Sequence, residues 1–175
     1  DAGGMSAAAQ ARRLRPDLEI VAFERGEFTS YAACGLPYFV SDEVTDRDRL
    51  IARTPEAFRA QGIDVRTRHE VVAIDTDERT VEVRSLDGGD VTTEPYGELL
   101  LATGAVPVKP PLPGIDGPDV FDLRTIPDAD AVRAAIDHGA RRAVVVGGGY
   151  IGVELAEAFS TRGLEMTLVE LADQP

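Results

Sequence analysis

The chain holds one cysteine, Cys34, in the stretch SYAACGLPYF at positions 30–39. A disulfide needs two sulfurs, so an oxidised Cys34 carries either a small thiol from outside the chain or oxygen, as a sulfenic acid. Solitary cysteines are often small buried hydrophobes. Here Gly35 and Pro37 punctuate the backbone beside the sulfur, and the stretch has no helical or alternating apolar period. That setting suits a positioned thiol, with a short helix starting just after it.

A second chemical signal lies at VVVGGGYIGVELAE. Gly147, Gly149 and Gly152 spell G-x-G-x-x-G between an apolar run and a helical pattern, and Glu170 closes the next apolar run 23 residues after Gly147. The parts divide the work of binding: Gly147 makes a tight turn, Gly149 lets a pyrophosphate approach the backbone, Gly152 packs helix on strand, and the helix start offers N–H donors. Glu170 would accept from the adenosine ribose hydroxyls and repel a 2'-phosphate, which favours NADH over NADPH. The opening DAGG, followed by Glu24, has the same logic with its first half missing. If Gly4 is the last glycine of a fingerprint, the first lies two residues before Asp1, and Asp1 occupies the middle glycine position. Two dinucleotide sites in one chain imply that one cofactor hands electrons to the other.

These groups need elements to hold them. Residues 3–14 are alanine-rich helix formers ended by Pro16, and LEIVAFE at 18–24 reads as a buried parallel strand ending in an acid. TPEAFRAQG has a Thr cap, a Pro at the first helical position and a closing Gly62. Alternation over 69–94, with turn signals at Asp77 and at DGGD, predicts an antiparallel meander. GELLLATGA at 97–105 reads as a further buried strand. It runs into VPVKPPLPGIDGP, with five prolines in thirteen residues, the candidate boundary between domains 1–107 and 108–175. Beyond it come a capped helix from IPDADAVRAAIDHG, a strand into the glycine turn, a helix closed by Gly163, and the strand LEMTLVE.

Length and composition bound the rest. The 175 residues are 43% hydrophobic and 28% charged, an ordinary globular balance, and the net charge of -13 argues against a nucleic-acid partner. No apolar run reaches 18 residues, which excludes a spanning helix. A single cysteine suits a reducing compartment, so the expected location is cytoplasmic. His69 and His138 have no ligand partners at useful spacing, and no metal site is expected. Arg12 and Arg15 read as a solvated face. Seventeen of the eighteen basic residues are arginine, a bias without functional content.

Taken together, the half fingerprint with Glu24, SYAACGLPY, LLLATGA, PGIDG and VVVGGGYIGVELAE resemble the pyridine nucleotide-disulfide oxidoreductases, in their single-cysteine branch. The branch includes coenzyme A-disulfide reductases, NADH oxidases, NADH peroxidases and persulfide reductases, and the CGLPY spelling is most similar to the first of these. The resemblance implies an α/β fold: an FAD-binding Rossmann-like domain with an antiparallel β-meander, then part of a second Rossmann-like domain for NADH or NADPH. It implies a fragment lacking the N-terminal strand and the C-terminal part, with a homodimer formed through a C-terminal domain outside this chain.

By position, the resemblance assigns Gly3, Gly4, Glu24, Arg25, Thr103 and Gly104 to FAD, with Val72 contacting it through its backbone. Tyr150 matches an aromatic gate over the flavin, and Ile151 and Glu154 lie where the nicotinamide docks. Ser6, Gln10, Arg13 and Ser30 match positions that contact coenzyme A. Ser6, Gln10 and Arg13 share one helix face. Two positions depart from the pattern: a polar residue beside the cysteine is Ala33 here, and a lysine is replaced by Gly62. The function implied is reduction of coenzyme A disulfide, or a related small disulfide or persulfide, through Cys34 as the catalytic residue. The alternatives are an NADH oxidase or peroxidase working through a sulfenate, and a flavin-dependent reductase of a small redox protein with an inert Cys34.

Overall fold

The structure, a computed structural model, describes residues 1–173; the last two positions of the second expected domain lie outside the described residues. By contacts the chain divides into two compact units, Asp1–Tyr31 with Ile51–Gly104, and Ala32–Leu50 with the segment that begins at Ala105. Segment Ala32–Leu50, inside the first domain by linear position, therefore packs with the second unit.

In the first unit, α1 (Ala2–Leu14) forms where alanines give high helix propensity, and it stops just short of Pro16. β1 (Val21–Glu24) pairs in parallel with β2 (Asp64–Thr67), in the register Val21↔Asp64 to Glu24↔Thr67. Met5 of α1 packs with Phe58, Ile63 and Val65 in a small core, flanked by Ala8, Ala9, Ile20 and Ala22. Arg12 is not simply solvated. Its guanidinium donates to the carbonyls of Gly62 and of Pro16, the latter at 2.9 Å, tying α1 to the loop before β2. Arg15 does pair with Asp17 in solvent, at 2.7 Å.

The short helix α3 (Pro55–Arg59) starts as its sequence predicts, with the Thr54 hydroxyl accepting from the Ala57 N–H at 3.2 Å. β3 (His69–Asp75), β4 (Thr80–Ser85) and β5 (Val91–Pro95) form the antiparallel meander. Its first turn is organised by Asp75 rather than Asp77: one Asp75 carboxylate oxygen accepts from the N–H groups of Asp77 at 2.9 Å and Glu78 at 2.8 Å.

Two expected strands come out differently. Only Val21–Glu24 of the 18–24 run is paired, and its residues are half-buried or exposed, because β1 has a neighbour on one edge alone among the described residues. The run 97–105 forms no strand, and Leu99, Leu100 and Leu101 are exposed. A strand exists only through its ladder, and no strand of the described residues lies beside this one.

In the second unit, a single 3-10 turn (Ala33–Gly35) leads into α2 (Leu36–Val40), the short helix expected after the cysteine. α4 (Ile126–Asp137) carries a complete capping box between Thr125 and Asp128. β6 (Arg142–Val146), α5 (Tyr150–Thr161) and β7 (Glu165–Val169) make a strand-helix-strand unit with the two strands parallel. Gly163 ends α5 at φ +75, a left-handed position that glycine adopts without a Cβ penalty. No helix among the described residues is long and apolar enough to cross a membrane.

Candidate functional site

Cys34 sits in the middle of the 3-10 turn and is exposed. Its side chain is thus not buried in the core. The turn is pinned on both sides: the Ala32 N–H donates to the Leu50 carbonyl and the Gly35 N–H to the Ala32 carbonyl, each at 2.8 Å. A Cβ on Gly35 would stand 2.8 Å from a Leu50 methyl, so this position takes glycine to bring the thiol turn against a buried leucine.

The complete fingerprint lies in the same unit. Gly147 turns at φ +105, and a Cβ on Gly152 would stand 1.9 Å from the Gly147 carbonyl oxygen, so helix and strand touch backbone to backbone. Around Gly149 nothing lies within 4 Å of a Cβ position, leaving the approach open, and no side chain caps α5. Glu170, just past β7, reaches back to the glycine turn. Its carboxylate accepts from the N–H groups of Gly148, of Leu171 at 2.7 Å and of Ala172 at 2.9 Å. These amide donors, Ala172 first, then Gly148 and Leu171, hold the Glu170 carboxyl below the usual carboxylate range. Tyr150 is 94% exposed beside exposed Ile151, while Glu154 faces a shallow groove with Tyr38, Glu43 and Glu157.

The first unit repeats part of this plan. Gly3 and Gly4 lie in the first turn of α1, and a Cβ on Gly4 would meet the Ala102 side chain at 3.0 Å. Glu24 ends β1 and, like Glu170, folds onto the backbone, accepting from the Gly26 N–H at 2.7 Å. Arg25 is paired with Glu70 at 3.7 Å. Val72 is exposed at a bulge, where the β3–β4 register shifts between Val71 and Ala73. Thr103 and Gly104 lie in irregular chain, Gly104 at φ +72. In both units a cradle of glycine backbone and a nearby acid suit a dinucleotide's pyrophosphate and ribose.

Ser6, Arg13 and Ser30 line one open cleft of about 260 Å³ in the first unit, and Gln10 bonds Arg13 from the side. Five lining residues were not read from the sequence, Met5, Ala9, Ala52, Arg53 and Phe58, and of these Arg53 alone carries a charge. Arg53 immediately precedes the Thr54 cap, and its guanidinium lies 5.0 Å from the Phe58 ring centroid, one turn into α3. This is the spacing of a hydrophobic staple with a cation in the outer place, and it was the signal available. Both guanidiniums are bonded to neutral amides, Arg13 to Gln10 and Arg53 to Gln61 at 3.4 Å, so their charge remains for an anion. Cys34 groups with the second unit and this cleft with the first. Among the described residues no group of three or more His, Cys, Asp or Glu could hold a metal ion.

A glycine cradle between parallel strand and helix, repeated in part, defines an α/β protein of the dinucleotide-binding class, with an exposed thiol on the unit that carries the complete cradle. The chain belongs to the pyridine nucleotide-disulphide oxidoreductase family, which it matches over residues 1–175. It is 39% identical to a coenzyme A disulfide reductase of Staphylococcus haemolyticus, over 99% of this chain and 39% of that one. An NADH oxidase of Enterococcus faecalis is 36% identical, over 98% of this chain and 38% of that protein. Among solved structures, reduced CoADR-RHD of Bacillus anthracis superposes with a TM-score of 0.96 at 42% identity, covering 98% of this chain and 31% of that chain. The chain thus spans about two-fifths of the length of these curated relatives.

Proposed function

We propose that the protein is an FAD-dependent oxidoreductase that takes electrons from NADH or NADPH and reduces coenzyme A disulfide, or a related small disulfide or persulfide, through Cys34. The observation that carries this reading is the pinned, exposed sulfur on a unit that also presents a complete dinucleotide cradle. When bound, FAD supplies the conversion of a hydride from the nicotinamide into two electrons for sulfur. Gly3, Gly4, Glu24 and Arg25, with Val72, Thr103 and Gly104, would hold it in the first unit. Gly147, Gly149, Gly152 and the start of α5 would hold the nicotinamide nucleotide, with Tyr150, Ile151 and Glu154 toward its reactive end. Glu170, already ionised and aimed at the glycine turn, would accept from the ribose and disfavour a 2'-phosphate, so NADH should give the higher kcat/KM.

At Cys34 the thiolate attacks one sulfur of the substrate disulfide. A bond forms between Cys34 and that sulfur, the substrate S–S bond breaks, and one thiolate leaves. Two electrons from the nicotinamide then cleave the mixed disulfide and release the second thiol. In sum, one NADH, one proton and one disulfide give NAD⁺ and two thiols. The cleft of Ser6, Arg13, Ser30 and Arg53 would hold the anionic carrier end of such a substrate, with Gln10 orienting Arg13.

Cys34→Ser tests the reading in the full-length protein. FAD content and flavin reduction by NADH should survive, because serine is nearly isosteric and neither cradle uses the sulfur. Disulfide reduction should fall by orders of magnitude. A variant that reduces disulfides at the wild-type rate sinks the proposal. The 36% identity to an NADH oxidase favours a second reading, oxygen or peroxide reduction through a Cys34 sulfenate. Turnover of oxygen or peroxide without turnover of coenzyme A disulfide would select it.

A further inference from the structure

Resting on the reading of Cys34 as the redox sulfur, we propose that Arg133 and Arg162 are positioning residues for it, acting through the far end of α2. The 3-10 turn that carries Cys34 ends at Gly35, which is also the residue before α2, so sulfur and helix are one continuous piece. A five-residue helix is far too short to hold itself in water. α2 is held by its surroundings instead: Leu36, Pro37, Phe39 and Val40 are all buried.

The C-terminal end of α2 presents carbonyls that no helical N–H reaches. Phe39 O accepts from Arg133 Nη1, and Val40 O accepts from Arg162 Nη1 at 3.0 Å. The chain then turns through Asp42 at φ +70, a conformation that aspartate tolerates better than most residues. Its carboxylate thereby lies between the same two guanidiniums, at 2.5 Å from Arg133 Nη2 and 3.1 Å from Arg162 Nη1. Asp137 holds Arg162 from behind at 2.6 Å, and the Arg133 guanidinium lies 4.3 Å over the Phe39 ring.

The side chains of Arg133 and Arg162 are only 18% and 15% exposed. Removing one member of such a network leaves charge uncompensated, so its parts act together. Arg133 projects from α4, and Arg162 follows the last turn of α5, whose first turn is the dinucleotide cradle. Two rigid helices, rather than a loop, therefore set where α2 ends and, through it, where the sulfur stands.

Asp42→Asn and Arg162→Ala in the full-length holoenzyme test this. Asparagine also tolerates φ +70, so Asp42→Asn removes the charge while keeping the turn. Three quantities are read: the rate of Cys34 alkylation by iodoacetamide, flavin reduction by NADH, and disulfide turnover. The expected result is an altered alkylation rate and roughly a tenfold loss of disulfide kcat, since small misplacements of a reacting group are costly, with flavin reduction within about twofold of wild type. Arg162→Lys should recover part of the loss. If Arg162→Ala does not fold, Asp42→Asn decides alone. Unchanged alkylation and disulfide turnover in Asp42→Asn, or equal loss in both half-reactions, overturns the assignment. A Cys34→Ser protein with full disulfide turnover would instead remove the reading on which it rests.

Discussion

Glu170 has its carboxylate engaged by three backbone amides of its own unit. The amides of Ala172, Gly148 and Leu171 stabilise its ionised form, so its pKa lies below the 4.5 of an ordinary glutamate. A group depressed in the folded state contributes stability above its unfolded pKa and loses it as pH falls through the folded value. Comparing wild type with Glu170→Gln by thermal unfolding, the gap in Tm should be constant above about pH 6 and close as pH falls below 4.5. A gap that widens in acid would contradict the assignment. Arg53 is a second side chain with a measurable share of its own. On the proposed reading, in which Arg53 meets the substrate's anionic end, Arg53→Ala should raise KM for coenzyme A disulfide roughly ten- to a hundredfold with FAD content unchanged, a charge-assisted bond being worth about 1.5 to 3 kcal/mol. Helix spacing puts Ser6, Gln10 and Arg13 on one face and family position adds Ser30, and Ser6, Arg13 and Ser30 line one cleft. Arg53 left only a local trace, its staple-like spacing ahead of Phe58, and that trace does not announce the cleft that the side chain lines.

Among the elements, those whose signals are local were legible. α4 has its capping box, α5 its closing glycine and the meander its alternation, and each forms where those residues stand. The glycine cradle is the strictest of these. With a Cβ at position 152 only 1.9 Å from the Gly147 carbonyl oxygen, Gly152→Ala must push the helix from the strand. It should lower stability by about 1 to 3 kcal/mol, the usual range for overpacking, and weaken NADH binding measured by titration. An unchanged affinity would mean that the nucleotide binds elsewhere. Elements whose existence depends on distant partners were not legible. The run 97–105 has strand composition without a ladder, and Ala32–Leu50 leaves its neighbours in sequence to pack with the second unit through Asp42, Arg133 and Arg162. Nothing near Asp42 in sequence announces arginines 91 and 120 residues away.

For the molecule as a whole, family membership rests on features spread along all 175 residues, whereas the acceptor proposed above rests on a few side chains in one cleft and one turn. That is why the class was readable from motifs, and why the proposed acceptor is tested at Cys34 and Arg53 and the proposed electron donor at Glu170. The exposed leucine run has a different consequence, a colloidal one. Leu100 and Leu101 are each 64% exposed in chain whose backbone makes no strand ladder, the kind of surface on which a second copy can add a strand. Opposing this is the net charge of -13, whose mutual repulsion keeps copies apart. Added salt shrinks that repulsion from a range of about 10 Å at 0.1 M to about 3 Å at 1 M, while leaving the apolar attraction in place. The 175-residue chain by itself should therefore scatter more light as sodium chloride is raised, and Leu100→Lys should suppress the rise. Scattering that stays flat with salt would show that this edge is not sticky. The charge of this polypeptide, which says nothing about its catalysis, would then be what keeps an unpaired leucine run from finding the wrong strand.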